Sequence, residues 1–72
     1  MNNLIIGVDQ WVEIQCDLTV ILVEEYGDGG LISYLDDNGD EHYTEQSQER
    51  FNIYNDEAEG IMYRLGLTRG EL

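Results

Sequence analysis

Apolar and polar positions alternate most clearly at residues 10–15, QWVEIQ, with Val12 and Ile14 on one face and Trp11, Glu13 and Gln15 on the other. A period of two is the spacing of a half-buried strand. Cys16-Asp17-Leu18 reads as a turn or kink, and TVILVEEY (19–26) as a β-branched run that ends in charge. A run apolar on both faces suits a strand crossing the centre of a small barrel or sandwich. YGDGG (26–30) is a Gly-rich turn, LISYL (31–35) the next strand, and DDNGD (36–40) a second turn with Asn38-Gly39 as a favoured type I′ pair. EHYTE (41–45) alternates again as the returning strand. SQERF (47–51) reads as a single helical turn and NIY (52–54) as a short closing strand.

The period changes near the C-terminus. Ala58, Ile61, Met62 and Leu65 fall at i, i+3, i+4 and i+7, one stripe of an amphipathic helix predicted over about 56–65. Asn55 or Asp56 serves as N-cap, and Asp56 with Glu59 has the capping-box spacing. Gly66 stands where a left-handed residue stops a helix, with Leu67 placed to pack back beneath it. The expected class is mainly β with one helix (α+β): a small SH3-like antiparallel barrel or strongly bent sheet of about five strands, plus the C-terminal helix. With no Pro, repeat or linker, residues 1–72 form a single domain, barrel-like over about 4–54, with helix and tail over 55–72.

The order of strands and turns in VDQWVEIQ and VILVEEYGDGGLISYLDDNGDEHYTEQSQERFNI resembles an SH3-like or Tudor-like barrel, with the match covering roughly residues 8–54. It departs from that pattern at Cys16-Asp17-Leu18 and in the added helix. Such barrels are mostly binding modules, so the resemblance implies binding more than catalysis.

Length and cysteine content narrow the setting. A chain of 72 residues has a small core, and the lone Cys16 excludes an internal disulfide, which fits a reducing compartment. MNNLIIGVDQ has no basic residue and an apolar run of three, unlike a signal peptide, and no stretch is long enough to span a bilayer. The expectation is a soluble, cytoplasmic protein.

Charge changes the picture most. Sixteen acids against three bases give −13, and residues 1–49 hold twelve Asp and Glu with no Lys or Arg. Seven aromatic residues and repeated Ile/Val/Leu runs argue for a folded chain despite this charge. Such a surface repels nucleic acid and anionic membranes and attracts basic proteins.

Candidate chemistry is sparse. Asp36 to Asp40 imitate the start of a calcium loop, but position six is Glu41 instead of Gly and position twelve is Ser47 instead of Glu. Cys16 beside Asp17 lacks the positive surroundings of a reactive thiolate and reads as a small buried hydrophobe. One Cys and one His, His42, fall short of a zinc site, and no nucleophile–base set is visible. No enzyme activity, metal or cofactor is expected. Trp11, Tyr26, Tyr34 and Tyr43 are candidates for an aromatic cage around a methylated ammonium group.

In size and composition the chain resembles small acidic phage-encoded DNA mimics of the anti-CRISPR or anti-restriction type, which act in the host cytoplasm. That resemblance implies inhibition of a basic, nucleic-acid-binding host protein by charge mimicry and steric occlusion, without direct nucleic-acid or membrane binding. The expected partner surface comprises Glu13, Glu24, Glu25, Asp28, Asp36, Asp37, Asp40, Glu41 and Glu45 in place of phosphates, with Trp11, Tyr26 and Tyr43 as apolar anchors. The alternative is an SH3-like interaction or assembly module in which acid only provides solubility, with an apolar patch on LISYL or the helix.

Overall fold

The computed structural model describes residues 4–70. Its elements run β1 (Leu4–Ile6), α1 (Val8–Tyr26), β2 (Ser33–Leu35), β3 (Glu41–Tyr43), α2 (Glu45–Arg64) and β4 (Leu67–Arg69). β1 and β4 pair in parallel, Leu4 opposite Leu67 and Ile6 opposite Arg69. β2 and β3 form an antiparallel hairpin, Ser33 opposite Tyr43 and Leu35 opposite Glu41. The two helices are antiparallel: Trp11 meets Tyr63, while Gln15 and Thr19, further along α1, meet Asn55. This is an α+β helical hairpin with two small sheets. It corrects the expected mainly-β class, and no SH3-like or Tudor-like barrel closes among the described residues.

The first predicted strand, the Cys16-Asp17-Leu18 turn and the β-branched run are all one helix, α1. No Gly or Pro interrupts Val8–Tyr26, so main-chain hydrogen bonds can propagate along all 19 residues. Each β-branched residue disfavours the helix by a few tenths of a kcal/mol, and tertiary packing outweighs that sum. The stripe facing α2 is Trp11, Gln15, Thr19 and Val23, four residues apart. Two of the four are polar, which hides the helical period and leaves alternation as the visible pattern. A strand would align Val12 with Ile14, whereas a helix sets them about 200° apart. Val12 is accordingly 55% exposed, while Ile14 packs on the core. At Gly27 the helix stops; a Cβ there would stand 2.6 Å from the Val23 carbonyl oxygen.

α2 begins well before Asp56. Thr44 is its N-cap, its hydroxyl accepting from the Ser47 amide at 3.2 Å, so the expected caps Asn55 and Asp56 lie in the helix interior. SQERF and NIY, read as a turn and a strand, belong to the same 20-residue helix. Its end follows the sequence pattern: Gly66 has φ +86° and its amide donates to the Tyr63 carbonyl at 3.0 Å. Leu67 then packs back onto the core.

The hairpin is present with a different turn. Gly39 has φ +84°, but among the described residues no non-glycine residue, Asn38 included, takes positive φ, which a type I′ turn would require. Gly39 donates to the Asp36 carbonyl and Asp36 to that of Asp40, the pattern of a type I turn followed by a left-handed glycine.

Ile6, Trp11 and Met62 form the core, with Ile14, Leu18 and Leu67 packed against them. A polar ladder continues it between the helices. The Trp11 indole N–H donates to Gln15 Oε1 (3.1 Å), Gln15 Nε2 donates to the Asn55 carbonyl (3.0 Å), and the Thr19 hydroxyl donates to the Gln15 carbonyl (2.6 Å). The Cα atoms fill a slab of 47 × 27 × 13 Å, one helix thick.

Candidate functional site: an acidic end with an aromatic groove

The turnaround between the helices gathers the acids. The last turn of α1, the 27–44 connection and the first turns of α2 meet at one end of the slab. Between residues 24 and 49 that end carries Glu24, Glu25, Asp28, Asp36, Asp37, Asp40, Glu41, Glu45 and Glu49. Arg50 is the one Lys or Arg at this end, and its guanidinium is turned inward to donate to the Gly30 carbonyl at 3.1 Å. Arg64 and Arg69 lie at the opposite end, with β4.

Of the twelve residues expected to meet a partner, eight acids therefore lie on the elements of the turnaround end. Glu13 is exposed on α1, but lies about 20 Å along the helix axis from Tyr26. Tyr26 and Tyr43 are exposed at the acidic end. Trp11 is fully buried beneath Tyr63, with ring centroids 5.1 Å apart, and so anchors the core in place of a partner. Its burial also removes it from the four-ring cage. Cys16, expected to be buried, is exposed on α1, because the helix turns that position away from the contact stripe.

A groove opens between the hairpin and α2, lined by Tyr34, His42, Tyr43, Glu45, Gln48, Glu49 and Asn52. Thr44 and Ser47 tie the chain before the hairpin to the start of α2: the Thr44 hydroxyl caps α2, and Ser47 Oγ accepts from the Ile32 amide at 2.6 Å. Cross-strand pairing sets His42 opposite Tyr34, and the two rings stack with centroids 5.7 Å apart. His42 Nε2 lies 2.7 Å from Asp36 Oδ2. The other Asp36 oxygen accepts from the amides of Asn38 (2.8 Å) and Asp40 (2.9 Å). His42, followed by these turn amides, holds the Asp36 carboxyl below its ordinary range. Asp36 thus shapes the hairpin, while Asp37 and Asp40 project into solvent.

Sequence reading named Tyr34 only for the cage and left out Gln48, Glu49 and Asn52. One-turn spacing along a helix at 45–52 would have shown Glu45, Gln48, Glu49 and Asn52 on one face. Alternation over 41–45 followed by a turn-like 47–51 hides that face in the sequence.

A groove of aromatic rings edged by carboxylates suits a cation: ring faces attract it and Glu45 and Glu49 neutralise it. Among the described residues no three His, Cys, Asp or Glu side chains gather to hold a metal ion, and no helix is long and apolar enough to cross a membrane. No family model matches the chain, and no curated protein or solved structure is significantly similar to it.

Proposed function

We propose that the chain is a small acidic binding module whose turnaround end takes up a basic surface of a partner protein. The supporting observation is an end that carries nine acids, two of which, Glu45 and Glu49, line an aromatic groove, and whose sole Arg is turned inward. Lys or Arg side chains of the partner pair with Asp37, Asp40 and Glu41 at the hairpin tip. One enters the groove between Tyr34, Tyr43, Glu45 and Glu49. Exposed Tyr26 and Tyr43 supply apolar contact that charge alone lacks.

Helix electrostatics support the reading. Glu24 and Glu25 occupy the last turn of α1, which holds no base, where the negative end of the helix dipole disfavours acids by about 0.3–1 kcal/mol each. A basic partner relieves that repulsion. In this proposal the partner is a nucleic-acid-binding protein, and the carboxylates occupy the place of phosphates and exclude nucleic acid from its groove. No covalent step is assigned.

The test is displacement of a labelled DNA duplex from a basic nuclease or CRISPR effector by the purified chain, across a salt series. Competition should weaken as salt rises. Asp37→Lys with Asp40→Lys should weaken it at least tenfold, and Glu13→Lys far less. Binding indifferent to salt, or equally sensitive to both changes, refutes the acidic end as the interface.

A further inference from the structure

The two walls of the groove differ in kind. The hairpin side carries the rings of Tyr34, His42 and Tyr43, and the α2 side carries Glu45, Gln48, Glu49 and Asn52. The spacing i, i+3, i+4, i+7 sets those four on one helix face, with the Cβ atoms of Glu45 and Glu49 about 5–6 Å apart. Their hydrogen bonds leave acceptors over. Gln48 Nε2 donates to Asn52 Oδ1 at 3.0 Å, and among the described residues nothing donates to Gln48 Oε1 or to either carboxylate.

On the opposite wall the Nε2–H of His42 is already engaged. Asp36 is held as a carboxylate and only accepts, so Nε2, 2.7 Å from its Oδ2, carries a hydrogen. Tyr34 stacks on the imidazole, and the two side chains remain about half exposed, 55% for Tyr34 and 50% for His42. The hairpin therefore offers ring faces, and α2 offers bare acceptors.

A guanidinium matches both walls. It carries five N–H donors in a plane and no acceptor, so its edge meets the oxygens of Glu45, Gln48 and Glu49 while its face lies on a ring. A lysine ammonium is a compact, strongly hydrated charge. Every lining residue is exposed, so the open groove does not replace the water such a charge would shed. A trimethylated ammonium has no N–H, leaves the α2 oxygens without donors, and needs rings on several sides. Neither Trp11 nor Tyr26 lines the groove to supply them.

We infer that the groove is a guanidinium site, taking an arginine of the partner in preference to a lysine; this rests on the acidic end being the surface for a basic protein. The amino end of α2 disfavours a cation beside Glu45, an effect that fades within the first turn. The guest therefore lies toward Gln48 and Glu49, between that face and the Tyr34–His42 pair.

NMR titration of the full chain at low salt, with capped tri-arginine, tri-lysine and tri-trimethyl-lysine peptides of equal charge, tests the site. Tri-arginine should bind about fivefold or more tighter than either of the others. Its side-chain δ protons should move upfield under the ring currents of Tyr34 and His42. Tyr34→Leu should lower the affinity for tri-arginine to that for tri-lysine and leave tri-lysine binding unchanged. If that variant disturbs the hairpin, the peptide ranking and the upfield shift on the unaltered chain decide. Equal affinities for tri-arginine and tri-lysine, or no upfield shift, overturn the guanidinium site and leave the acidic end as a surface of charge alone. Tighter binding of the trimethylated peptide overturns it in favour of a cage. No binding of any of the three overturns the guanidinium site and the basic-partner reading together.

Discussion

Between the helices every buried polar side-chain atom among the described residues has a partner, whereas on the β2–β3 hairpin all six strand residues face solvent. The helix interface is narrow, largely uncharged and closed by hydrogen bonds that fix the register of α1 on α2. The hairpin carries charge and aromatic rings on a two-stranded ribbon held at its base by Thr44 and Ser47. The stabilising contacts and the proposed recognition surface thus occupy separate parts of a very short chain, and changes in one should leave the other readable.

The sharpest break in that division is Trp11→Ala. It removes the largest side chain of the core and the indole donor to Gln15, at a cost of about 3–5 kcal/mol. That is a large part of the ~5–15 kcal/mol available to a small domain. Urea titration followed by circular dichroism should show a lost or strongly shifted transition, and an unchanged midpoint would place the core elsewhere. Gln15→Leu comes next. It leaves the Trp11 N–H without its acceptor and removes the donor to the Asn55 carbonyl, for about 1–3 kcal/mol in the same measurement.

Thr44→Ala tests the joint between the two regions. Loss of the N-cap should lower stability by about 1 kcal/mol. Amide exchange should quicken first at Ser47 and Ile32, whose hydrogen bonds meet there. Uniform quickening over both helices would argue against a local joint.

The smallest effect concerns pH. The Asp36 carboxyl is held below its ordinary pKa of 3.8 by His42 first and then by the amides of Asp40 and Asn38. A lowered carboxyl stabilises the folded turn above its unfolded pKa, and the contribution disappears as pH falls through the folded value. Acid titration by NMR should shift the Asn38 and Asp40 amides only below that ordinary value, with helix signals unmoved. Asp36→Asn should abolish that shift and leave the urea midpoint nearly unchanged. A coupled loss of helix signals would show that the hairpin supports the core.

Local features with strong chemical signatures were legible without coordinates. Gly66 ends α2 as its position requires, Leu67 returns to the core, Asn38-Gly39 marks the hairpin, and the 58–65 stripe is helical. Each depends on a few adjacent residues, such as a glycine free to take positive φ or an apolar period four residues long. The acidic segment was legible too, since its lack of Lys and Arg belongs to composition.

What tertiary structure decided was the secondary structure of the first half of the chain. The stripe Trp11, Gln15, Thr19, Val23 becomes a buried face only because Asn55, Met62 and Tyr63 of α2 receive it, and its polar members carry no apolar period by themselves. Burial of Trp11 and exposure of Cys16 follow from that pairing, as does the placing of Glu24 and Glu25 at the end of the molecule that carries the hairpin and the start of α2. Net charge could be read residue by residue; the end of the molecule at which it gathers depended on two helices folding back on each other.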